Sequence, residues 1–195
     1  LAAYLADAIL YLNDEILEDP CQLVLLTRKP ISSYPRLVNF VAREDVTEVV
    51  QDVTADYKNL PTVDYIVHAA SKASPSDYMK FPLETVDANT IGTRAMLDKA
   101  VTDGVIGFLY FSSGEIYGDV GDNQFPPAES ETGGLDPIGP RACYTESKRM
   151  GETLCSIYYR EFDVPVTIIR PFHIYGPGMK LDDGRVIAEF MSSWL

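Results

Sequence analysis

Cysteine is scarce. Cys21, Cys143 and Cys155 are odd in number and form no C-x-x-C pair, which argues against a disulfide framework and against a thiolate metal site. Histidine is scarcer still: His68 and His173 stand far apart, so no histidine-rich metal cluster is expected. No apolar run approaches the roughly 18 residues of a membrane-spanning helix. Basic residues are few, 16 Lys and Arg against 29 Asp and Glu, for a net charge of −13. That balance disfavours a nucleic-acid surface, whereas a small anion held by a few local cations is compatible with it. Residues 1–12 carry Asp7 and no basic stretch, so no secretory leader is read there. The expectation is a cytoplasmic protein with no metal, membrane or nucleic-acid partner.

What is present is an ordinary globular composition, 46% hydrophobic and 23% charged. Leu1, Leu5, Ala8, Ile9 and Leu12 recur at helical spacing, with no capping residue before Leu1. Short apolar runs follow at 22–26, more weakly at 37–41, and then at 64–70, 107–113 and 166–170. Each run is continuous rather than alternating, as in strands covered on both faces. Helical patterns lie between them, the clearest over 83–101 and 142–162. Strand and helix in alternation predict a doubly wound α/β domain on a parallel sheet. Residues 117–141, rich in proline and glycine, read as a surface excursion over a site. Ligands in such sheets bind beyond the carboxyl ends of the strands, so the residues leaving each strand matter most.

Tyr144 and Lys148 lie four apart on a predicted helix, hence on one face. A phenol ionises near pH 10, and bringing it to about 7 needs roughly 4 kcal/mol, which a close ammonium and a second cation could supply. With 12 Tyr and seven Lys in the chain, about 0.4 such pairs arise by accident, so the pair alone is weak. Its context is Ser112-Ser113-Gly114-Glu115-Ile116-Tyr117-Gly118, directly after an apolar run. A hydroxyl there could hold an oxyanion, with Glu115 as acid or base beside it; a plain Ser-Gly turn with a solvated Glu is the blander reading. Arg170-Pro-Phe172-His173 forms a third strand exit, followed by Arg185, and these cations could hold a diphosphate. Asp182-Asp183-Gly184 reads as a polar turn rather than a calcium loop, and both histidines read as structural more readily than as ligands.

Together these segments resemble the extended short-chain dehydrogenase/reductases, the NAD-dependent epimerase/dehydratase family that acts on nucleotide sugars. Asp52-Val53 resembles the pair that meets the cofactor's adenine, and His68-Ala69-Ala70 the strand end beside its ribose. Asn89-Thr-Ile-Gly-Thr93 is similar to the family's helix signature, and Ser113, Tyr144 and Lys148 fall where its catalytic triad belongs. Within the family the runs Ser-Ser-Gly-Glu-Ile-Tyr-Gly-Asp119, Asp136-Pro-Ile-Gly-Pro-Arg-Ala-Cys-Tyr-Thr-Glu-Ser-Lys-Arg149 and Asp183-Gly-Arg-Val186 most resemble the UDP-glucuronate decarboxylases. Glu115 occupies their second acid/base position. Three departures stand out: Ser113 for the usual Thr, His173 for the usual Asn, and Thr27-Arg28-Lys29 where NAD enzymes place an acid for the ribose 2′-hydroxyl. Arg28 could accommodate a 2′-phosphate, so NADP stays open beside NAD.

The resemblance implies a lyase that decarboxylates UDP-glucuronate through a 4-keto sugar, with transient hydride transfer to NAD. Tyr144 would take the C4 hydroxyl proton, Lys148 would hold the ribose and lower the Tyr144 pKa, Ser113 would hold the oxyanion, and Glu115 would protonate the enolate. Ala2, Arg28, Asp52, Val53, Ala69, Ala70, Tyr144, Lys148 and Phe172 are the implied cofactor contacts, and His173 and Arg185 the implied substrate contacts. A nucleotide-sugar C4-epimerase or 4,6-dehydratase is the first rival, and a non-catalytic cofactor-binding sensor or scaffold the second. Helices over 83–101 and 142–162 would build a homodimer. Residues 1–175 would form the Rossmann-like domain, with its first strand and glycine loop outside the chain, and 176–195 the start of a substrate lobe. Such a fragment would be inactive alone.

Overall fold

The computed structural model describes residues 1–57, 60–121, 126–182 and 184–194, which fall into two compact units, Leu1–Pro61 and Thr62–Leu195. In the first, helix α1 (Ala2–Glu15) starts without a side-chain cap. It buries Ala6 and Leu10 against Ile31 and Phe40, with Leu23, Leu25, Leu37 and Val46 packed around them. Strand β1 (Leu23–Thr27) pairs in parallel with β2 (Val46–Val50), Leu23 opposite Val46. The run at 37–41 is not a strand. Val38–Phe40 forms a 3₁₀ turn instead, because Leu37 and Phe40 serve this small core rather than a sheet. Strand β2 escaped the sequence reading because Thr47 and Glu48 interrupt its apolar residues. Arg43 clamps the unit: its guanidinium reaches both oxygens of Asp14 (2.9 and 2.7 Å) and both of Asp45 (2.8 Å each).

The second unit holds β3 (Tyr65–His68), β4 (Gly107–Phe111) and β5 (Val166–Ile169), all parallel and in that order. Its helices are α2 (Pro75–Lys80), α3 (Pro82–Asn89), α4 (Ile91–Asp103), α5 (Ala142–Phe162) and α6 (Val186–Trp194). Ile66 and Phe108 from the strands pack with Leu97 and Ala100 of α4 and Cys155 and Tyr158 of α5. One face of the sheet is thereby closed by two crossover helices, as parallel pairing requires. Among the described residues the strands form parallel sheets of two and three strands, in keeping with the parallel α/β class expected.

The helical pattern over 83–101 breaks at Thr90. Thr90 Oγ1 donates to the Val86 carbonyl (2.7 Å) and Thr93 Oγ1 to that of Asn89 (2.7 Å), so side chains compete for the carbonyls of the helical ladder. Helix α5 runs unbroken to Asp163, which ends it in the left-handed region at φ 54. The excursion after β4 is pinned at its base. Asp119 N donates to the Gly134 carbonyl (3.1 Å), and any side chain at Gly118, itself at φ 64, would run into that carbonyl. Among the described residues no helix is long and apolar enough to cross a membrane.

Candidate active site

Two strand exits shape the second unit's functional end. Past β4, Ser112 N donates to the Ile169 carbonyl (2.8 Å) and Gly114 N to that of Pro171 (2.9 Å), so pairing with the β5 side continues beyond both strands. The chain then tightens into a 3₁₀ turn, Gly114–Tyr117, capped by Ser113, whose Oγ accepts from Glu115 N (3.2 Å). Gly114 has no room for a side chain, because a Cβ would stand 2.8 Å from the Phe172 ring. Phe172 also stacks on Tyr117, with centroids 5.9 Å apart.

Helix α5 brings Tyr144 and Lys148 to this turn as their spacing predicted, and both are buried. Burial pushes the Tyr144 phenol above its usual pKa. Against that, the Ser113 hydroxyl and the charges of Arg185 and Arg141 act to lower it, while Glu115 raises it. Ser113, Glu115, Arg141 and Arg185 therefore all act on the phenol. Lys148 is tied to the strand beside it. Its Nζ donates to the Phe111 carbonyl (2.6 Å), and burial draws the ammonium down to about 7.

Two residues at the centre of the site carried no role in the sequence reading. Tyr78, fully buried on α2, stacks on Tyr144 with centroids 4.8 Å apart and planes 13° from parallel. Its signal lay in Ser74-Pro-Ser-Asp77, a capped helix start; Ser74 Oγ accepts from Asp77 N (3.3 Å). Arg141, just before α5, holds Glu115 Oε1 at 2.7 Å. A further tie runs behind them, where Asn89 Nδ2 donates to Ser147 Oγ (2.9 Å) and so links α3 to α5.

Among the described residues the hydroxyls of Ser71 and Ser112 are buried with no hydrogen-bond partner. Ser71 follows β3 and Ser112 follows β4, which are neighbours in the sheet. Unsatisfied hydroxyls at adjacent strand exits fit a polar ligand lying across them. Ala69 and Ala70 sit half-buried on the same exit. His68 is structural: burial and then the Lys148 charge lower its pKa to about 3, and its Nε2 shares a 2.9 Å hydrogen bond with Thr93 Oγ1.

Phe172 and His173 are exposed, and half-buried Arg185 reaches toward the Ile174 carbonyl (3.4 Å). Arg170, offered as a diphosphate contact, instead has its guanidinium on Glu152, Tyr117 and Glu129. Asp183 lies outside the described residues. In the first unit, Ala2 opens α1 and Arg28 follows β1, both exposed. Asp52 folds back on Thr54, Oδ1 accepting from its N (3.0 Å) and Oγ1 (2.7 Å), and Val53 is buried.

The chain is 45% identical over 129 residues to UDP-glucuronic acid decarboxylase 1 of Xenopus tropicalis, covering 66% of this chain and 30% of that protein. It is 42% identical over 153 residues to UDP-glucuronic acid decarboxylase 4 of Arabidopsis thaliana, covering 78% and 32%. It thus spans about a third of the length of these curated relatives. A dTDP-glucose 4,6-dehydratase from Streptomyces venezuelae, solved with NAD bound, superposes with a TM-score of 0.78 at 22% identity, covering 98% of this chain and 58% of that one. A UDP-glucose 4-epimerase from Thermotoga maritima, solved with UDP-glucose, gives 0.76 at 21%, covering 96% and 57%. These two show the shared Rossmann-like fold. Residues 11–195 match the model of the NAD dependent epimerase/dehydratase family, and the chain belongs to that family.

Proposed function

We propose that this chain forms the catalytic core of an NAD-dependent UDP-glucuronate decarboxylase. The observation that carries the reading is Glu115: a carboxylate on the Ser113 turn, held by Arg141 at 2.7 Å and acting on the buried Tyr144 phenol. The identity to decarboxylases over two thirds or more of the chain supports it. Tyr144 takes the proton of the sugar's C4 hydroxyl, and Ser113 hydrogen-bonds the oxygen as it becomes a ketone. The nicotinamide supplies a reversible two-electron acceptor at C4 when bound. The C5 carboxylate is then β to a carbonyl. Its bond to C5 breaks, CO2 leaves, and the electron pair passes into an enolate. Glu115, directly or through water, returns a proton to C5, and Tyr144 returns its proton to the C4 oxygen. Lys148, freed from the Phe111 carbonyl, is the cation placed to hold the cofactor ribose.

Ala69, Ala70, Ser71, Ser112 and Phe172 are the further candidate cofactor contacts in the second unit, and His173 and Arg185 the candidate substrate contacts. Ala2, Arg28, Asp52 and Val53 are those of the first unit, with Arg28 keeping NADP open beside NAD. The proposal includes a cytoplasmic location, the division into residues 1–175 and 176–195, and a homodimer. Leu83, Ile91 and Met150 on α3, α4 and α5, each at least half exposed, support that pairing. Incubation of the full-length protein with UDP-glucuronate and mass analysis of the nucleotides tests the reaction. Loss of CO2 supports it; an unchanged mass with a new isomer, as from an epimerase, or loss of water, as from a dehydratase, overturns it.

A further inference from the structure

Four segments distant in sequence meet on one guanidinium. Arg170 leaves β5 and grips both carboxylate oxygens of Glu152, from Nε (2.9 Å) and Nη2 (2.7 Å). Its Nη1 donates to the Tyr117 hydroxyl (3.1 Å) and to the Glu129 carbonyl (2.7 Å), and its Cζ lies 4.9 Å from the Tyr117 ring centroid. Glu152 stands one helical turn beyond Lys148 on α5, and Tyr117 closes the turn that Ser113 opens. Glu129 belongs to the excursion that ends in Arg141, the partner of Glu115. One rigid fork therefore spans the helix bearing Tyr144 and Lys148, the turn bearing Ser113 and Glu115, and the excursion between them.

We infer that Arg170 is a positioning residue of the site, holding the Ser113–Glu115 turn in register with the Tyr144–Lys148 helix. A fold-stabilising pair would need only the Glu152 face of the fork. The Nη1 face is directed at the turn and the excursion, and the Phe172 ring two residues later is seated against Gly114 and Tyr117. A lysine at 170 keeps the charge but is a point donor, and cannot grip Glu152 at both oxygens while also holding Tyr117 and Glu129. Neither Arg170 nor Glu152 touches the reacting atoms, so their removal shifts geometry rather than deleting a catalytic group.

The activity arm of the test rests on the proposed decarboxylation, and the exchange arm does not. In the full-length protein, Arg170→Lys is expected to lower kcat about 10- to 100-fold with KM changed less than about threefold, as a misplacement on the order of 1 Å does. Tyr117→Phe, which keeps the stack on Phe172, is expected to give a smaller loss. The double variant should be no worse than Arg170→Lys alone, since both act through one contact. Hydrogen exchange should quicken over 113–118 and 126–141 in Arg170→Lys and stay unchanged over 152–162. A raised KM with intact kcat, additive losses in the double variant, or faster exchange confined to 152–162 overturns the inference. Should Arg170→Lys fail to fold, Tyr117→Phe decides by the same exchange pattern. A wild-type protein that decarboxylates nothing refutes the proposed function, and the exchange arm still decides this inference.

Discussion

The Tyr78 ring lies flat against the Tyr144 ring, 4.8 Å between centroids, and seals one face of the residue proposed to move a proton. Tyr78 is fully buried, and among the described residues its hydroxyl makes no close hydrogen bond, with the Arg141 guanidinium as its interacting neighbour. The stack and the hydroxyl can be separated by substitution. The ring excludes water and fixes the phenol; the hydroxyl keeps only a loose tie to Arg141.

Tyr78→Phe is therefore expected to leave folding stability within about 1 kcal/mol of the parent, because the removed hydroxyl makes no close hydrogen bond. Tyr78→Ala opens a cavity against Tyr144 and is expected to cost about 3–5 kcal/mol. Denaturant midpoints compare the two. A large loss of stability in Tyr78→Phe contradicts a loosely held hydroxyl.

Tyr144→Phe keeps the stack and loses the acid/base. Turnover is expected to fall by about 10²–10⁴, the range for a removed general acid/base. Retention of the cofactor, read from nucleotide released on denaturation, should persist. Turnover within a few-fold of the parent sinks the assignment of Tyr144.

Glu115→Gln removes the carboxylate and its charge on Tyr144. Decarboxylation is expected to fall by about 10²–10⁴. The melting temperature should barely move, because Arg141 is more than half exposed and such a pair contributes at most about 1 kcal/mol. Parallel rates and melts of the variant check both halves of the statement.

His68 makes the fold acid-sensitive. Its imidazole ionises near pH 3 in the folded protein and near 6.5 when unfolded. Between those values the unfolded chain binds a proton that the folded chain refuses. Stability is therefore lost as pH falls below about 6.5, by up to about 1.4 kcal/mol per pH unit, and is insensitive to this group above it. From pH 7 to pH 5 the loss is on the order of 2 kcal/mol. His68→Gln should show a pH dependence shallower by that amount in denaturant titrations at the two values. Equal dependence in parent and variant contradicts the buried neutral imidazole.

Much of this was legible in the chain. The alternation of apolar runs with helical patterns carries the parallel α/β class, and Tyr144-x-x-x-Lys148 sits buried on a helix as its spacing requires. Local patterns misled where tertiary packing decided. Residues 37–41 are apolar enough for a strand, yet Phe40 is needed against α1. The mixed residues of β2 pair because β1 lies alongside. The helix over 83–101 breaks where Thr90 and Thr93 turn their hydroxyls onto carbonyls one turn back. The partners of the site were least visible. Tyr78 meets Tyr144 across 66 positions (144 − 78), and Arg170 meets Tyr117 across 53 (170 − 117); no period in the sequence records either contact. Lys148 illustrates the converse, since its spacing from Tyr144 was readable and its grip on the Phe111 carbonyl was not.

The bridge between Asp119 and Gly134 closes the excursion at its base. Its two ends stay stapled whatever lies inside, and the cost of a longer closed loop grows only logarithmically, about 0.6 kcal/mol for each doubling. Glu129, inside the bridged span, is held by Arg170, so a length change there leaves the Ser113 turn alone only if that contact survives. An inserted tag or probe within the span is therefore carried without loss at Ser113, Glu115 and Tyr144 only where the Asp119–Gly134 bridge and the Glu129–Arg170 contact both stay closed.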